Sequence, residues 1–388
     1  MPAGRMTRTL IAAALGLGIA GAVLAQEVVK IGMILPMTGP FASTGRQIDG
    51  AVKLYMQQNG GTVAGKKIEV ILKDDGGTAD TTRRIAQELV VNDKVAILAG
   101  FGLTPLALAT VPIATQAKVP MVVMAAATSS ITEQSSFVVR AGFTLPQVTS
   151  PLANWAWQSG IKKVVTLVTD FGPGIDAETT FKNRFVALGG QVPAELRVPL
   201  RNPDFAPFLQ RVRDASPDAV FVFVPSGVGA IFMKQFAERG LDKSGIKLIG
   251  TGDVTDDDIL NEMGDVALGV VTSFHYSAAH DSPTNKAYVA AYKKLNGKRP
   301  NFMSMGGYDG MRLIYKALEA TKGNTNGEAL VNAMKVQSFE SPRGPVTMDP
   351  ATRDPIQNVY MRKVERVGGE LYNVEFATQP AVKDPQHK

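Results

Sequence analysis

The chain has 388 residues, no cysteine, and 41 basic against 35 acidic side chains, a formal charge of +6. Without cysteine there is no disulfide, no thiolate nucleophile, no cysteine-held zinc and no lipid attached through an N-terminal cysteine. The charges are interspersed, with no polybasic block and no basic run interleaved with aromatics, which argues against nucleic-acid binding.

Residues 1–25 carry an export pattern. Arg5 and Arg8 precede an uncharged apolar run over 10–24, and Val23, Leu24 and Ala25 form a small-x-small step before Gln26. The run falls short of the roughly 20 residues that a spanning helix needs, so a cleaved signal peptide is expected. The mature protein is then periplasmic, free rather than a lipoprotein. The GxGxxG from Gly16 to Gly21 lies inside this run and follows no strand, so it is not read as a dinucleotide site.

From there strand-like apolar runs alternate with helical patterns. A strand is predicted over 28–35, a helix over 46–58 with Ile48, Val52, Tyr55 and Met56 on one face, a strand over 67–73 and a helix over 78–92. A strand over 95–98, a helix over 104–116 and a strand over 120–125 complete a βαβαβαβ rhythm, the pattern of a parallel sheet with helices on both faces. The rhythm then restarts. Helices are predicted over 147–159, 177–188, 205–215 and 229–239, and strands over 163–169, 194–199, 219–224, 246–249 and 267–272. Helices over 284–295 and 306–321 and a β-rich tail over 345–376 follow.

The fold class is therefore α/β: two doubly wound parallel-sheet lobes joined by a hinge of about three crossings. Crossings are expected near 140–144 and 273–276, with the tail supplying a third. The lobes are expected to comprise 27–142 with 274–345, and 143–273 with 346–388. Ligands in such sheets bind beyond the carboxyl ends of strands, at topological switch points, so the cleft between lobes is the natural site.

Several loops would rim that cleft. Ala99 to Pro105, AGFGLTP, ends a strand and opens a helix, with Phe101 inside it. Thr104 suits an N-cap and Pro105 a first helical position, so the loop is either an ordinary capped helix or an anion site. Ala125 to Ser130, AAATSS, offers small residues for close approach and hydroxyls that donate; read alone, it is a tight polar turn. Together the two loops suggest a carboxylate platform. Thr38 to Gly45 follows the first strand, where Phe41 is a cleft wall or a hydrophobic staple. In the second half, Asp170 to Ala177 contains GxGxxA, but Pro173 and Asp176 disfavour a pyrophosphate there. Phe171 is instead a candidate aromatic face. Ser226 and Asp253 end later strands, and Asp253 either receives a ligand ammonium or hydroxyl or simply closes a turn.

Catalytic patterns are absent from the sequence. No GxSxG elbow occurs. His275, His280 and His387 show no metal spacing. His275 falls at a predicted crossing, where it faces the cleft or serves the core. GGTVAGKK over 60–67 has Lys67 where a phosphate loop needs Ser or Thr and reads as a turn, as does Asp74-Asp75. Neither an enzyme activity nor a cofactor or metal is expected.

At these loops the chain resembles the periplasmic solute-binding proteins of branched-chain amino-acid ABC transporters, the Leu/Ile/Val-binding family with the type 1 periplasmic binding fold. The resemblance is carried by TGPFASTG, the GKKIEVILKDDGG stretch, Thr82-Arg83-Arg84, AGFGLTP, VPMVVMAAATSS and GYDGMRLI over 307–314, in that order and spacing. It implies that Thr104, the Ala126 backbone and Thr128 grip a ligand carboxylate. Thr44, Pro173 and Ser226 stand where the family often carries aromatic side chains. The family's acidic partner of a ligand ammonium falls at Gly252 or Asp253. Phe171, Ser226 and Asp253 would complete the closed site. The implied role is capture of a small carboxylate (a hydrophobic amino acid, or an aromatic or aliphatic organic acid) by a monomer that closes about its hinge and delivers the ligand to membrane permease subunits. The alternative is a sensor of the same fold that signals to a membrane receptor; a secreted hydrolase is disfavoured by the missing catalytic sets.

Overall fold

The computed structural model describes residues 26–387, so the segment read as an export signal lies outside it. The first lobe is built from β1 (Val28–Leu35), α1 (Ala42–Asn59), β2 (Thr62–Val63), β3 (Lys66–Asp74), α2 (Ala79–Val91), β4 (Ile97–Gly100), α3 (Thr104–Ala117), β5 (Met121–Val123) and β6 (Val138–Arg140). Its sheet runs β2-β3-β1-β4-β5-β6 and is parallel except for the β2–β3 hairpin. Central strands covered on both faces must be apolar throughout, and β4 and β5 are buried at every residue. The GGTVAGKK stretch forms the hairpin, with Ala64 and Gly65 at φ 48° and 80°, the left-handed pair that a tight hairpin turn requires.

The second lobe follows with α4 (Leu145–Gln158), β7 (Val164–Thr169), α5 (Gly172–Ala187), β8 (Glu195–Val198), α6 (Ala206–Ala215), β9 (Ala219–Phe223), α7 (Gly229–Glu238), β10 (Lys247–Thr251), α8 (Leu260–Met263) and β11 (Val271–Phe274). The chain then returns to the first lobe as α9 (Pro283–Asn296) and α10 (Phe302–Ala320), both packed on α1, and α11 (Gly327–Met334). It ends as β12 (Ser338–Ser341), β13 (Gly344–Met348), β14 (Pro355–Val367) and β15 (Glu370–Val382). The second sheet runs β12-β13-β14-β11-β10-β9-β7-β8, with β15 beside β14. It is parallel from β8 to β11 and antiparallel beyond.

The tail adds antiparallel strands to the β11 edge of the expected parallel sheet. Three expectations need correction. The last crossing precedes Ser338 rather than following 345, since β12 and β13 pair within the second sheet. Helix α5 starts at Gly172, five residues before the predicted 177, because Pro173 is tolerated in a first turn. Helix α10 starts at Phe302, not 306. Its Gly306 and Gly307 are contact points inside the helix: a Cβ on Gly306 would stand 1.8 Å from the Met124 carbonyl oxygen, and one on Gly307 2.6 Å from that of Ile48.

Buried arginines pin the crossings. Arg343 pairs with Asp309 at 2.8 Å and donates to the carbonyls of Ala141 and Gly142 at 2.7 and 2.8 Å. Arg140 pairs with Asp354 at 2.6 Å. Arg362 donates to the Thr272 hydroxyl and the Tyr276 carbonyl. Such groups are tolerated inside only because every cation finds acceptors.

Candidate functional site

In the first sheet β1 lies between β3 and β4; in the second, β7 lies between β8 and β9. Each arrangement reverses the winding direction and opens a crevice at the carboxyl ends of the strands. The two crevices face each other across one small cavity lined from both lobes. The walls touch around it. The Ser129 amide donates to Asp176 at 3.0 Å, the Ser43 hydroxyl to Asp258 at 2.8 Å, and Arg201 to the Gly77 carbonyl at 3.1 Å.

The first-lobe wall holds Thr44, Leu103, Thr104 and Ala125 to Ala127. Thr104 is the first residue of α3, and its hydroxyl lies 2.8 Å from that of Thr128. Helix α5 also begins at the cavity, where Phe171 and Pro173 line it. Two helix N-termini therefore converge, and their unpaired amides and dipoles favour an anion. The loop behind is held from below by Arg140, which donates to the carbonyls of Ala126 and Thr128.

The opposite wall is aromatic with two polar side chains. Phe171 and Phe223 stack with ring centres 5.9 Å apart. The Ser226 hydroxyl donates to Asp256 at 2.5 Å, and the Gly227 amide reaches the same oxygen at 3.0 Å. Burial raises Asp256 well above the usual carboxylate range. Asp253 is buried, its Oδ2 has no hydrogen-bond partner, and burial pushes its carboxyl up to about 7. Phe143 and Leu145, from the first crossing and the start of α4, and Met303 of α10 close the remaining side.

Six of the eight residues singled out from the sequence line this cavity: Thr44, Thr104, Ala126, Phe171, Ser226 and Asp253. Thr128 stands one step behind, bonded to Thr104 and packed under Gly172, where a Cβ would lie 2.5 Å from the Thr128 hydroxyl. Two expectations are corrected. Phe101 does not line the cavity, because its φ of 68° turns the ring into the core shared by Leu98, Val111 and Ile131. The Ala126 backbone is already committed, its amide to the Phe101 carbonyl at 3.0 Å and its carbonyl to Arg140. His275 sits behind the wall. It stacks on Phe143 at 4.5 Å, both ring nitrogens lack partners, and burial holds it well below its ordinary pKa.

Sequence reasoning passed over Phe143, Leu145, Phe223 and Met303. Phe143 lay within the predicted crossing and Phe223 three residues before Ser226, so adjacency to a crossing or strand end was a usable signal. Met303 had none, since only tertiary packing brings α10 to the cleft. Among the described residues no cluster of three or more His, Cys, Asp or Glu is placed to hold a metal, and no helix is long and apolar enough to cross a membrane.

The sequence model of the periplasmic binding protein family matches residues 28–370. A Leu/Ile/Val-binding protein homolog 6 of Brucella melitensis is 44% identical over 364 residues, covering 92% of this chain and 93% of the relative. The solute-binding protein of an ABC transporter from Rhodopseudomonas palustris BisB5, solved with 3,4-dihydroxybenzoic acid, is 63% identical. It covers 93% of this chain and 99% of its own, with a TM-score of 0.92. A counterpart from Rhodopseudomonas palustris HaA2, solved with p-hydroxybenzoic acid, is 42% identical over the same shares, with a TM-score of 0.90. The chain belongs to the periplasmic binding protein family.

Proposed function

We propose that this periplasmic binding protein captures a benzoate-type aromatic carboxylate between its lobes and delivers it to the permease of an ABC importer. One observation carries the reading: a single cavity joins an anion-favouring wall to stacked aromatic rings. The Thr104 hydroxyl, oriented by Thr128, donates to the carboxylate while the N-termini of α3 and α5 stabilise its charge. Phe143, Phe171 and Phe223 take the flat ring, whose faces and edges suit offset or edge-on contact. The hydroxybenzoates bound by the two solved relatives support the same class.

Ligand binding at both walls would favour the closed arrangement, because a ligand shifts an equilibrium only by its differential contacts with the two states. Contacts such as Ser43 with Asp258 and Ser129 with Asp176 then form only on closure. The test is a thermal-shift and calorimetry panel of benzoates, aliphatic acids and branched-chain amino acids. Benzoates are expected to raise Tm, by an amount that grows with the logarithm of ligand concentration over Kd. A rise with leucine or an aliphatic acid and none with any benzoate overturns the assignment.

A further inference from the structure

We infer that Leu200 and Arg201, on the loop after β8, form a gate that seals the cleft outside the binding cavity and sets the rate of ligand release. The inference rests on the reading that a ligand is captured between closing lobes, whatever acid that ligand is. Its starting point is an apolar contact that crosses the cleft. Phe41, Leu103 and Leu106 of the first lobe form a buried cluster, and Phe171 and Leu200 of the second lobe pack against it. Phe41, a cleft wall or a staple by sequence, does not line the cavity, and neither do Leu106 and Leu200. Leu103 and Phe171 belong to both, so the cluster continues the cavity wall outward beside the starts of α3 and α5. Next to Leu200, Arg201 donates to the Gly77 carbonyl at 3.1 Å across the same cleft. Gly77 in turn lies against Phe41, where an added Cβ would stand 3.2 Å from the ring.

The loop is suited to hold that contact. Residues 199–204 read Pro-Leu-Arg-Asn-Pro-Asp. The two prolines fix φ and leave less freedom to lose on docking. Asn202 turns the chain at a φ of 50°, a left-handed conformation that asparagine tolerates. Separating the lobes parts Leu200 from the first-lobe cluster and exposes apolar surface to water. The contact therefore favours the closed arrangement by the same factor for every ligand, and apparent affinity scales with the population of that arrangement. Most of the effect falls on release, because a bound ligand leaves only after the gate parts, and affinity differences within one site lie chiefly in the dissociation rate.

Because Leu200 lies outside the cavity, its effect is separable from recognition. The test is calorimetry and stopped-flow kinetics on the mature chain and Leu200→Ala with benzoate, 4-hydroxybenzoate and 3,4-dihydroxybenzoate. The variant is expected to weaken all acids that bind by one common factor of about 5- to 20-fold, carried mainly by faster release. The chain has no cysteine, so Leu200→Cys supplies a unique thiol. Its alkylation by iodoacetamide is expected to slow about 10-fold at saturating 3,4-dihydroxybenzoate, because attack needs an accessible thiolate and closure buries it. Alkylation at the same rate with and without ligand overturns the inference, and so does an unchanged release rate or a loss of affinity that differs among the acids. If no aromatic acid binds, the aromatic-carboxylate reading fails, and the gate is judged by the same thiol with whichever aliphatic acid or branched-chain amino acid raises Tm.

Discussion

Replacing Arg343 with methionine should destabilise the protein far more than a surface substitution. The guanidinium is fully buried, pairs with the equally buried Asp309 at 2.8 Å, and satisfies the carbonyls of Ala141 and Gly142 in the first crossing. Methionine refills the aliphatic stem but leaves Asp309 with only the Ser341 hydroxyl, 2.9 Å away, and strands two carbonyls. Breaking a buried pair from one side costs about 3–5 kcal/mol. With an unfolding entropy of about 2 cal/mol/K per residue, 4 kcal/mol lowers the Tm of a chain this long by about 5 °C. Acid should soften the loss. Burial already raises the Asp309 pKa, and without Arg343 the carboxyl would bind its proton still more tightly when folded. Stability of the variant is therefore expected to rise toward that of the natural chain as pH falls from 8 to 5. The assay is urea unfolding of Arg343→Met, Asp309→Leu and the double variant. The double variant should recover most of the loss, since an apolar replacement of the whole pair is close to neutral. A single-variant loss below about 1 kcal/mol, or a double variant equal to the sum of the singles, refutes the reasoning.

Thr104→Val removes the proposed carboxylate donor while keeping its shape, and calorimetry should show benzoate binding weakened by about 1.5–3 kcal/mol; unchanged affinity takes Thr104 out of the site. Gly172→Ala adds a Cβ that in the closed form would lie 2.5 Å from the Thr128 hydroxyl and 3.4 Å from Thr104 Cγ2. It should oppose closure and lower affinity about 10-fold, an overpacking cost of 1–2 kcal/mol, with little change in the ligand-free Tm. Asp176 is pushed up to about 6 chiefly by burial against the other lobe, where it accepts from the Ser129 amide. A carboxyl raised on closure favours the closed form below its ordinary pKa near 4 and loses that advantage as pH rises to about 6. Asp176→Asn keeps an acceptor for Ser129 without the charge. It should tighten binding relative to the natural chain by on the order of 1–2 kcal/mol at pH 7.5 and by progressively less toward pH 4; a pH-independent ratio contradicts this linkage.

The alternation of strands and helices was legible because each element carries its own period. β1 was predicted at its observed bounds, since VVKIGMIL is an apolar run interrupted only by Lys30 and closed by Pro36. Short elements carried too little signal: β6 has three residues and α11 eight. In the tail, β12 alternates buried and exposed positions only weakly. At the site, Thr104 and Ser226 could be found because strand ends and helix starts have recognisable residues. Phe101 was misplaced for a specific reason. A large residue between two glycines looks like a cleft aromatic, yet the sign of its φ decides which face the ring takes.

The sequence by itself determined the layered α/β architecture, the two-lobed division and the loops that rim the cleft, because hydrophobic period, capping residues and glycine placement act over a few neighbours. Tertiary structure alone decided which groups remain available to a ligand. The Ala126 backbone is spent on Phe101 and Arg140, and Thr128 is drawn behind Thr104. Met303 arrives from a helix some 200 residues further on, and Asp253 is left with an unpaired oxygen at the cavity wall. Availability is a property of what every neighbour has already claimed, and those neighbours meet only when both lobes are folded and joined.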